Sequence, residues 1–295
     1  MISDERWAEL LETRATDPAA IAAAYAARRR RPLLAPDGAT FIVAADHPAR
    51  RALGIGDDPF AMADRRSLLD RLVTALADTG VDGVLATPDV LDELALLGAL
   101  DERVAIGSLN RGGLAGSVWE LDDQDTAHDV AAIVDHGLDG GKMLLRIDPR
   151  DPGSKATLET CARNVSALAR AGVTAMLEPL PYTTRDGKAV LDTSDDELVR
   201  CVAVASGLGA TSAHTWLKLP ATDAVDRVMA ATTLPALILG GAPGPDPDTA
   251  FDSWRRAMAV PNVRGLVVGR SLLYPPDGDV AAAVATAADI VHPTR

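Results

Sequence analysis

Residues 211–222, TSAHTWLKLPAT, contain a short apolar strand that stops at a proline. We predict the strand over residues 213–219, because Pro220 has no N–H to donate to a sheet ladder. Lys218 is the last charged side chain before that end. In a barrel of parallel strands, catalytic side chains lie at the carboxyl ends of the strands, so Lys218 is a candidate amine nucleophile that forms an imine with a carbonyl substrate. The alternative is a lysine whose ammonium group extends to solvent, as most lysines do.

Short apolar runs alternate with amphipathic helices along the rest of the chain. Besides residues 213–219, we predict strands over residues 41–45, 83–86, 104–107, 141–147, 174–177, 234–239 and 265–268. Their number and spacing fit a (β/α)8 barrel, and their continuous apolar character is typical of parallel strands covered on both faces. A doubly wound open sheet is the alternative, but the first strand is followed by ADHPARR and not by a glycine-rich phosphate loop. We therefore predict an α/β fold with a single TIM barrel.

The chain before the first predicted strand has a helical pattern. Ser3 and the Asp17-Pro18 pair are suited to begin helices, and the arginines at residues 28–31 fit the carboxyl end of a helix. No linker divides the chain that follows. We predict an N-terminal helical extension over residues 1–38 and a catalytic barrel domain over residues 39–295.

The composition excludes several classes of function. A formal net charge of -13 argues against nucleic-acid binding, which needs a basic face. No apolar run approaches the roughly 20 residues of a membrane span, and charges interrupt the N-terminal segment where a signal peptide has its apolar core. Cys161 and Cys201 form no motif and are typical of reduced core thiols. We expect a soluble cytoplasmic protein that acts on a small molecule and binds neither nucleic acid nor a membrane; homo-oligomer formation is left open.

Nearly every predicted strand ends in polar or glycine residues, which a barrel would bring to one rim. In chain order they are Asp46, His47, Asn110, Arg111, Lys142, Arg146, Asp148, Glu178, Lys218, Gly240, Gly241, Gly269 and Arg270. Each has a plain structural explanation when taken alone, such as a turn before a proline. The whole set on one rim is typical of an active site.

Lys142 is the most informative of these residues because it lies inside an apolar strand. Alternate residues of a barrel strand point into the packed interior, where an unpaired lysine is costly. Two interior lysines make chemical sense if one depresses the pKa of the other, with Glu178 between them to offset the charge. The glycines that end the last two strands, with Arg270, fit the phosphate site that such barrels form after strands 7 and 8.

Five segments in the same order resemble the tagatose-bisphosphate aldolase branch of the class I aldolase barrels, a group that includes the deoxyribose-phosphate aldolase-like enzymes. They are GKMLLRIDP (141–149), AMLEPLPY (175–182), WLKLP (216–220), LILGGAP (237–243) and GLVVGRSLL (265–273). The resemblance implies that Lys218 is the Schiff-base lysine, Lys142 its companion on the fourth strand, Glu178 the acid/base, and Asp46 the aspartate that faces the substrate hydroxyls. It also implies that Gly241, Gly269 and Arg270 bind phosphate.

The resemblance further implies a class I aldolase that needs no metal or other cofactor and cleaves a phosphorylated ketose or keto sugar acid into dihydroxyacetone phosphate and an aldehyde. His-Pro follows Asp46 where relatives carry Gln-Arg, and Arg146 stands where aromatic side chains are common. An arginine there could recognise a carboxylate, which makes 2-deoxy-5-keto-gluconate 6-phosphate of myo-inositol catabolism a candidate substrate. The alternatives are a metal-dependent lyase or hydrolase using Asp46, His47, Glu178 and His214, and a non-catalytic sugar-phosphate-binding protein.

Overall fold

The computed structural model describes residues 1–241 and 247–293 of the chain. Its strands form one sheet. In chain order they are β1 (Thr40–Ala44), β2 (Gly83–Ala86), β3 (Val104–Ser108), β4 (Gly140–Ile147), β5 (Thr174–Arg185), β6 (Lys188–Leu191), β7 (Thr215–Pro220), β8 (Ala236–Leu239) and β9 (Val263–Val268). The strand order is β4-β3-β2-β1-β9-β8-β7-β5-β6, and pairing of β4 with β5 closes the ring. Every pair in the ring is parallel, while β6 extends β5 as an antiparallel hairpin. The predicted TIM barrel is confirmed.

Helices surround the barrel. They are α1 (Asp4–Thr16), α2 (Ala19–Ala27), α3 (Arg65–Leu76), α4 (Pro88–Leu96), α5 (Val130–Asp135), α6 (Pro152–Arg170), α7 (Asp195–Ser206), α8 (Val225–Met229), α9 (Pro247–Met258), α10 (Arg270–Leu273) and α11 (Val280–Val291). The first two precede β1, and Leu10 and Tyr25 from them join the same apolar core as the barrel helices. The division into an extension over residues 1–38 and a barrel domain stays a prediction. Among the helices so described, none is long and apolar enough to cross a membrane.

Several element boundaries differ from the predicted ones for local reasons. The helix after β4 begins at Pro152, because the Asp151 side chain accepts a hydrogen bond from the N–H of Gly153 and caps it. The fifth strand continues to Arg185 and turns into β6. The turn residues Asp186 and Gly187 both have positive φ, at 50° and 72°. An Asp-Gly pair is the usual sequence of such a two-residue hairpin turn, so the sequence carried this signal.

A small apolar cluster inside the ring shows which side chains point inward. It contains Ile42, Ala44, Leu85, Val104, Ile106, Met176, Leu237 and Val267. Side chains alternate between the two faces of a strand. Asp46 therefore continues the inward register of Ile42 and Ala44, Glu178 follows Met176, and Lys218 follows the partly buried Trp216 that packs on the same cluster. The strand alternation brings these three polar groups to the carboxyl end of the barrel interior.

The opposite end of the barrel is closed by a buried ion network. His292, after α11, lies with Nδ1 2.5 Å from Asp37 and Nε2 3.0 Å from Asp82. Arg31 contacts the other oxygen of Asp82 at 2.7 Å, and the N–H of Phe41 donates to Asp82 at 2.7 Å. The network joins the segment before β1, the turn before β2 and the last helix.

Candidate active site

Five charged side chains form a continuous chain across the carboxyl end of the barrel. Arg111 lies 2.9 Å from Asp46 Oδ2, and Lys142 Nζ lies 3.1 Å from the same oxygen. Lys142 Nζ is also 2.5 Å from Glu178 Oε2, and Lys218 Nζ is 3.2 Å from Glu178 Oε1. The charges alternate along the chain, so that each carboxylate lies between two cations. The structure brings together all four residues predicted to be catalytic.

These groups are almost fully removed from solvent. Asp46 and Lys142 are each 1% exposed and Lys218 is 3% exposed. A buried charge is costly unless it is paired and hydrogen bonded. The alternating pairs meet that requirement, and because each carboxylate contacts two cations it stays paired when one of them is removed.

The environment shifts the pKa values of three members of the chain. Burial, followed by the positive charge of Arg111, lowers the pKa of Lys142 to about 8 although Asp46 and Glu178 oppose the change. Burial alone would raise the pKa of Glu178, but the ammonium groups of Lys142 and Lys218 outweigh it and lower the pKa to about 2. Burial would also raise the pKa of Asp46, but the positive charges of Lys142 and Arg111 outweigh burial and hold that pKa well below its usual range. Both carboxylates are therefore ionised at neutral pH, and Lys142 titrates near it.

Sequence reasoning placed Arg111 on the rim but gave it no role, and it missed Ser108. The hydroxyl of Ser108 donates to Asp46 Oδ2 at 3.1 Å, and Arg111 also donates to the Asp46 carbonyl at 3.2 Å. Ser108 is the last residue of β3 and has its side chain inside the barrel, so strand parity would have found it. The position of Arg111 depends on the loop after β3, whose path no local pattern specifies.

Arg146 is fully buried and ion-paired within the protein. Its guanidinium lies 2.7 Å from Glu120 and 3.1 Å from Asp123, and it donates to the carbonyl of Gly113 at 2.8 Å. All three partners lie on the loop between β3 and α5. The hypothesis that Arg146 recognises a substrate carboxylate stays a prediction, and these pairs count against it because two carboxylates already match the arginine's charge.

The glycines predicted to bind phosphate lie where β8, β9 and β1 meet. A Cβ at Gly269 would lie 2.3 Å from the carbonyl oxygen of Ala44 and 2.9 Å from Cε1 of His47. A Cβ at Gly240 would lie 2.8 Å from Oγ of Ser271. Only glycine fits such close approaches. Gly241 has a φ of 67°, and the last two residues of the LILGGAP segment, 242 and 243, lie outside the described residues.

Of the four residues considered for a metal site, Asp46, His47 and Glu178 lie at the carboxyl end of the barrel, but His214 does not. His214 immediately precedes β7, at the opposite end of that strand from Lys218. Burial lowers the pKa of His47 well below its usual value, with Arg270, Lys218 and Arg50 adding to the effect against Asp46. Within residues 1–241 and 247–293, no group of three or more His, Cys, Asp or Glu side chains could hold a metal ion.

Comparison with solved structures places this barrel among known relatives. The crystal structure of Cgl0159 from Corynebacterium glutamicum has 50% sequence identity and a TM-score of 0.97, with 99% of each chain covered. An archaeal fructose 1,6-bisphosphate aldolase has 18% identity and a TM-score of 0.64, covering 92% of this chain and 99% of the other. A second structure of an archaeal fructose-1,6-bisphosphate aldolase, with its catalytic lysine covalently bound to the carbinolamine intermediate, has 17% identity and a TM-score of 0.62 over the same shares. At these identities the aldolases show a common fold.

The comparison with curated proteins returned no match. The profile of the Cgl0159-like family matches residues 38–288, which include every barrel strand and all of the charged chain from Asp46 to Lys218. This chain therefore belongs to the Cgl0159-like family.

Proposed function

We propose that this protein is a class I aldolase that cleaves a phosphorylated ketose or keto sugar acid through an imine on Lys218. The products are dihydroxyacetone phosphate and an aldehyde. The observation that carries the proposal is the pair of buried lysines, Lys142 and Lys218, on the two oxygens of Glu178. A structural ion pair needs one cation for that carboxylate. Imine chemistry needs an amine beside a second cation and a proton acceptor.

The fold neighbours support the same chemistry. One of the archaeal fructose-1,6-bisphosphate aldolases forms a carbinolamine on its catalytic lysine. The present chain has its own buried lysine on β7, at the carboxyl end where TIM-barrel enzymes place catalytic groups. The substrate is not carried over from those enzymes.

Imine formation begins with the free amine of Lys218 adding to the ketone carbon. The nitrogen loses a proton and the oxygen gains one, giving a carbinolamine, and loss of water gives the iminium ion. Glu178 lies 3.2 Å from the reacting nitrogen and is ionised, so it accepts the proton from nitrogen and passes it to the oxygen. The second proton that the oxygen needs to leave as water comes from the Lys142 ammonium group beside Glu178, and hydrolysis of the imine later returns it.

Cleavage requires a base for the hydroxyl on the far side of the breaking bond, and we assign this to Asp46. As that proton leaves, the electrons of the C–C bond move into the iminium, giving an enamine and a free aldehyde. Lys142 contacts both Asp46 and Glu178 and titrates near pH 8, so it can pass the proton between them. Protonation of the enamine carbon and addition of water then release dihydroxyacetone phosphate and restore Lys218.

A phosphorylated keto sugar acid is a candidate substrate only if a residue other than Arg146 binds its carboxylate, because Glu120 and Asp123 already pair with Arg146. 2-Deoxy-5-keto-gluconate 6-phosphate, from myo-inositol catabolism, is one such compound and gives dihydroxyacetone phosphate on cleavage. The negative net charge of the chain does not oppose an anionic substrate, because the site itself is lined by Arg111, Lys142 and Lys218.

Borohydride trapping tests the proposal without knowledge of the aldehyde. Reduction in the presence of dihydroxyacetone phosphate is expected to leave a stable adduct on Lys218, identified by intact-mass and peptide mass spectrometry. An adduct on Lys142 would keep the reaction class and exchange the roles of the lysines. No adduct on either lysine would overturn the imine mechanism.

The rate of C–H exchange in dihydroxyacetone phosphate is expected to fall above about pH 8. Enamine formation exchanges the substrate carbon proton for deuterium from solvent, which NMR measures directly. Below pH 8 Lys142 is charged and can supply the proton with which the carbinolamine oxygen leaves as water; above pH 8 it is neutral and cannot.

Arg111→Met is the matched variant for this pH dependence. Because Arg111 lowers the pKa of Lys142, its removal should raise that pKa and move the fall in exchange rate to higher pH. A fall that stays at the same pH in the variant would show that Lys142 is not the titrating group.

A further inference from the structure

Arg50 and Arg270 lie at the mouth of the barrel, just after β1 and β9. Within the part of the chain that the structure describes, no hydrogen bond or ion pair reaches the guanidinium of Arg50 or Arg270. Arg111 and Arg146, by contrast, each lie on a carboxylate. Two unmatched cations at a half-buried site are unfavourable unless a ligand supplies the anion.

Both arginines lie beside His47. Arg50 ends the short turn Pro48–Arg50 that follows β1, and its N–H donates to the His47 carbonyl at 3.2 Å. Arg270 follows Gly269, whose missing Cβ would lie 2.9 Å from the His47 ring. The N–H of Ala115, from the loop after β3, donates to the Arg50 carbonyl at 2.9 Å and so fixes this turn from the other side.

Unpaired polar atoms accompany the two arginines. Nε of Arg270 and Oγ of Ser271 are buried and have no hydrogen-bond partner among the described residues. Nδ1 of His47 is in the same condition. Oγ of Ser271 lies close to Gly240, where a Cβ would be only 2.8 Å away. Buried donors without partners are rare in folded proteins and indicate a group that binds there.

The electrostatics agree with this placement. Burial, followed by the charge of Arg50, lowers the pKa of Arg270. The same two arginines contribute to the low pKa of His47. The side chains of Arg50, Arg270 and His47 therefore act on one another across one small region.

We propose that Arg50 binds the substrate's phosphate together with Arg270, the two guanidinium groups lying on either side of one phosphate dianion. Ser271 Oγ and Arg270 Nε supply further donors from beneath. Two fixed positive charges match the dianion, and guanidinium groups bind phosphate through paired N–H donors. The proposal rests on the proposed function only for the identity of the molecule that carries the phosphate.

Titration calorimetry with inorganic phosphate tests the site without catalysis. Arg50→Met and Arg270→Met are each expected to weaken phosphate binding roughly 10- to 100-fold, the loss typical of a hydrogen bond to a charged group. Arg51→Met is the matched control, because Arg51 is the exposed next residue and should bind phosphate as the parent protein does. Parent-like phosphate binding by Arg50→Met would overturn the proposal.

A second measurement separates phosphate from other anions and from the imine step. Borohydride trapping is compared between dihydroxyacetone phosphate and unphosphorylated dihydroxyacetone. Arg50→Met should raise the half-saturating concentration of the phosphorylated ketone only. Equal effects of the substitution on both ketones would assign Arg50 to another role. So would a calorimetric result in which the variant binds gluconate, a carboxylate without phosphate, more weakly but binds phosphate as the parent does. Absence of trapping with either ketone would end the aldolase proposal while the calorimetric result stands by itself.

Discussion

Replacement of Lys218 by methionine is expected to abolish turnover, with a loss on the order of 10^4-fold or more in the exchange of dihydroxyacetone phosphate. The variant keeps the apolar stem of the side chain but has no nitrogen to form the imine. Glu178 retains Lys142 at 2.5 Å, so its charge stays paired and the barrel should remain folded. Affinity for inorganic phosphate should be nearly unchanged, because the proposed phosphate site lies at β8 and β9.

Lys188→Met is the control for this experiment. Lys188 lies on the exposed β6 hairpin and should exchange substrate protons at the parent rate. If Lys218→Met also retained the parent rate, the imine mechanism would be wrong. If it lost both turnover and phosphate affinity while remaining folded, the lysine would be a binding residue and the protein a sugar-phosphate-binding protein.

Replacement of Arg146 by methionine is expected to lower the free energy of unfolding by about 3–5 kcal/mol, the cost of leaving buried carboxylates without their cation. Glu120 and Asp123 would face each other across an apolar side chain, and Gly113 would lose its donor. Urea denaturation at neutral pH measures the change. Trypsin should also cut the loop between β3 and α5 faster in the variant.

Two further variants show whether the effect comes from the unpaired carboxylates. Arg150 pairs with Asp148, and its side chain is 72% exposed. Arg150→Met should therefore lower the free energy of unfolding by less than about 1 kcal/mol. Adding Glu120→Gln and Asp123→Asn to Arg146→Met should recover much of the stability. A parent-like stability of Arg146→Met, with a KM raised only for acidic substrates, would instead support carboxylate recognition by this residue.

The fold was predictable because it depends on patterns that survive without tertiary context. Continuous apolar runs, each ending at a proline or glycine, marked the barrel strands. Strand parity predicted that Lys142 points into the ring, and the structure brings it within 2.5 Å of Glu178. That contact follows from alternation in two neighbouring parallel strands.

Apart from Ser108 on β3, the contacts that sequence reasoning missed depend on loops. Arg111 reaches Asp46 because the loop after β3 is held by Arg146, which is more than 30 residues further along the chain. Whether an acidic side chain pairs with Arg50 likewise depends on the folded structure, and among the described residues none does. Such pairings are decided by long-range packing, and a linear pattern of charges does not contain them.

The ion network around His292 and Asp82 separates the residues that stabilise the closed barrel from those at the candidate active site. It ties the last helix to the first two strands at the rim farthest from Lys218. Substitutions at sites this far apart act on stability almost independently. The mouth loops can therefore diverge to accept new substrates while the closure of the ring is secured elsewhere, which would suit the redesign of the proposed carbon–carbon bond chemistry.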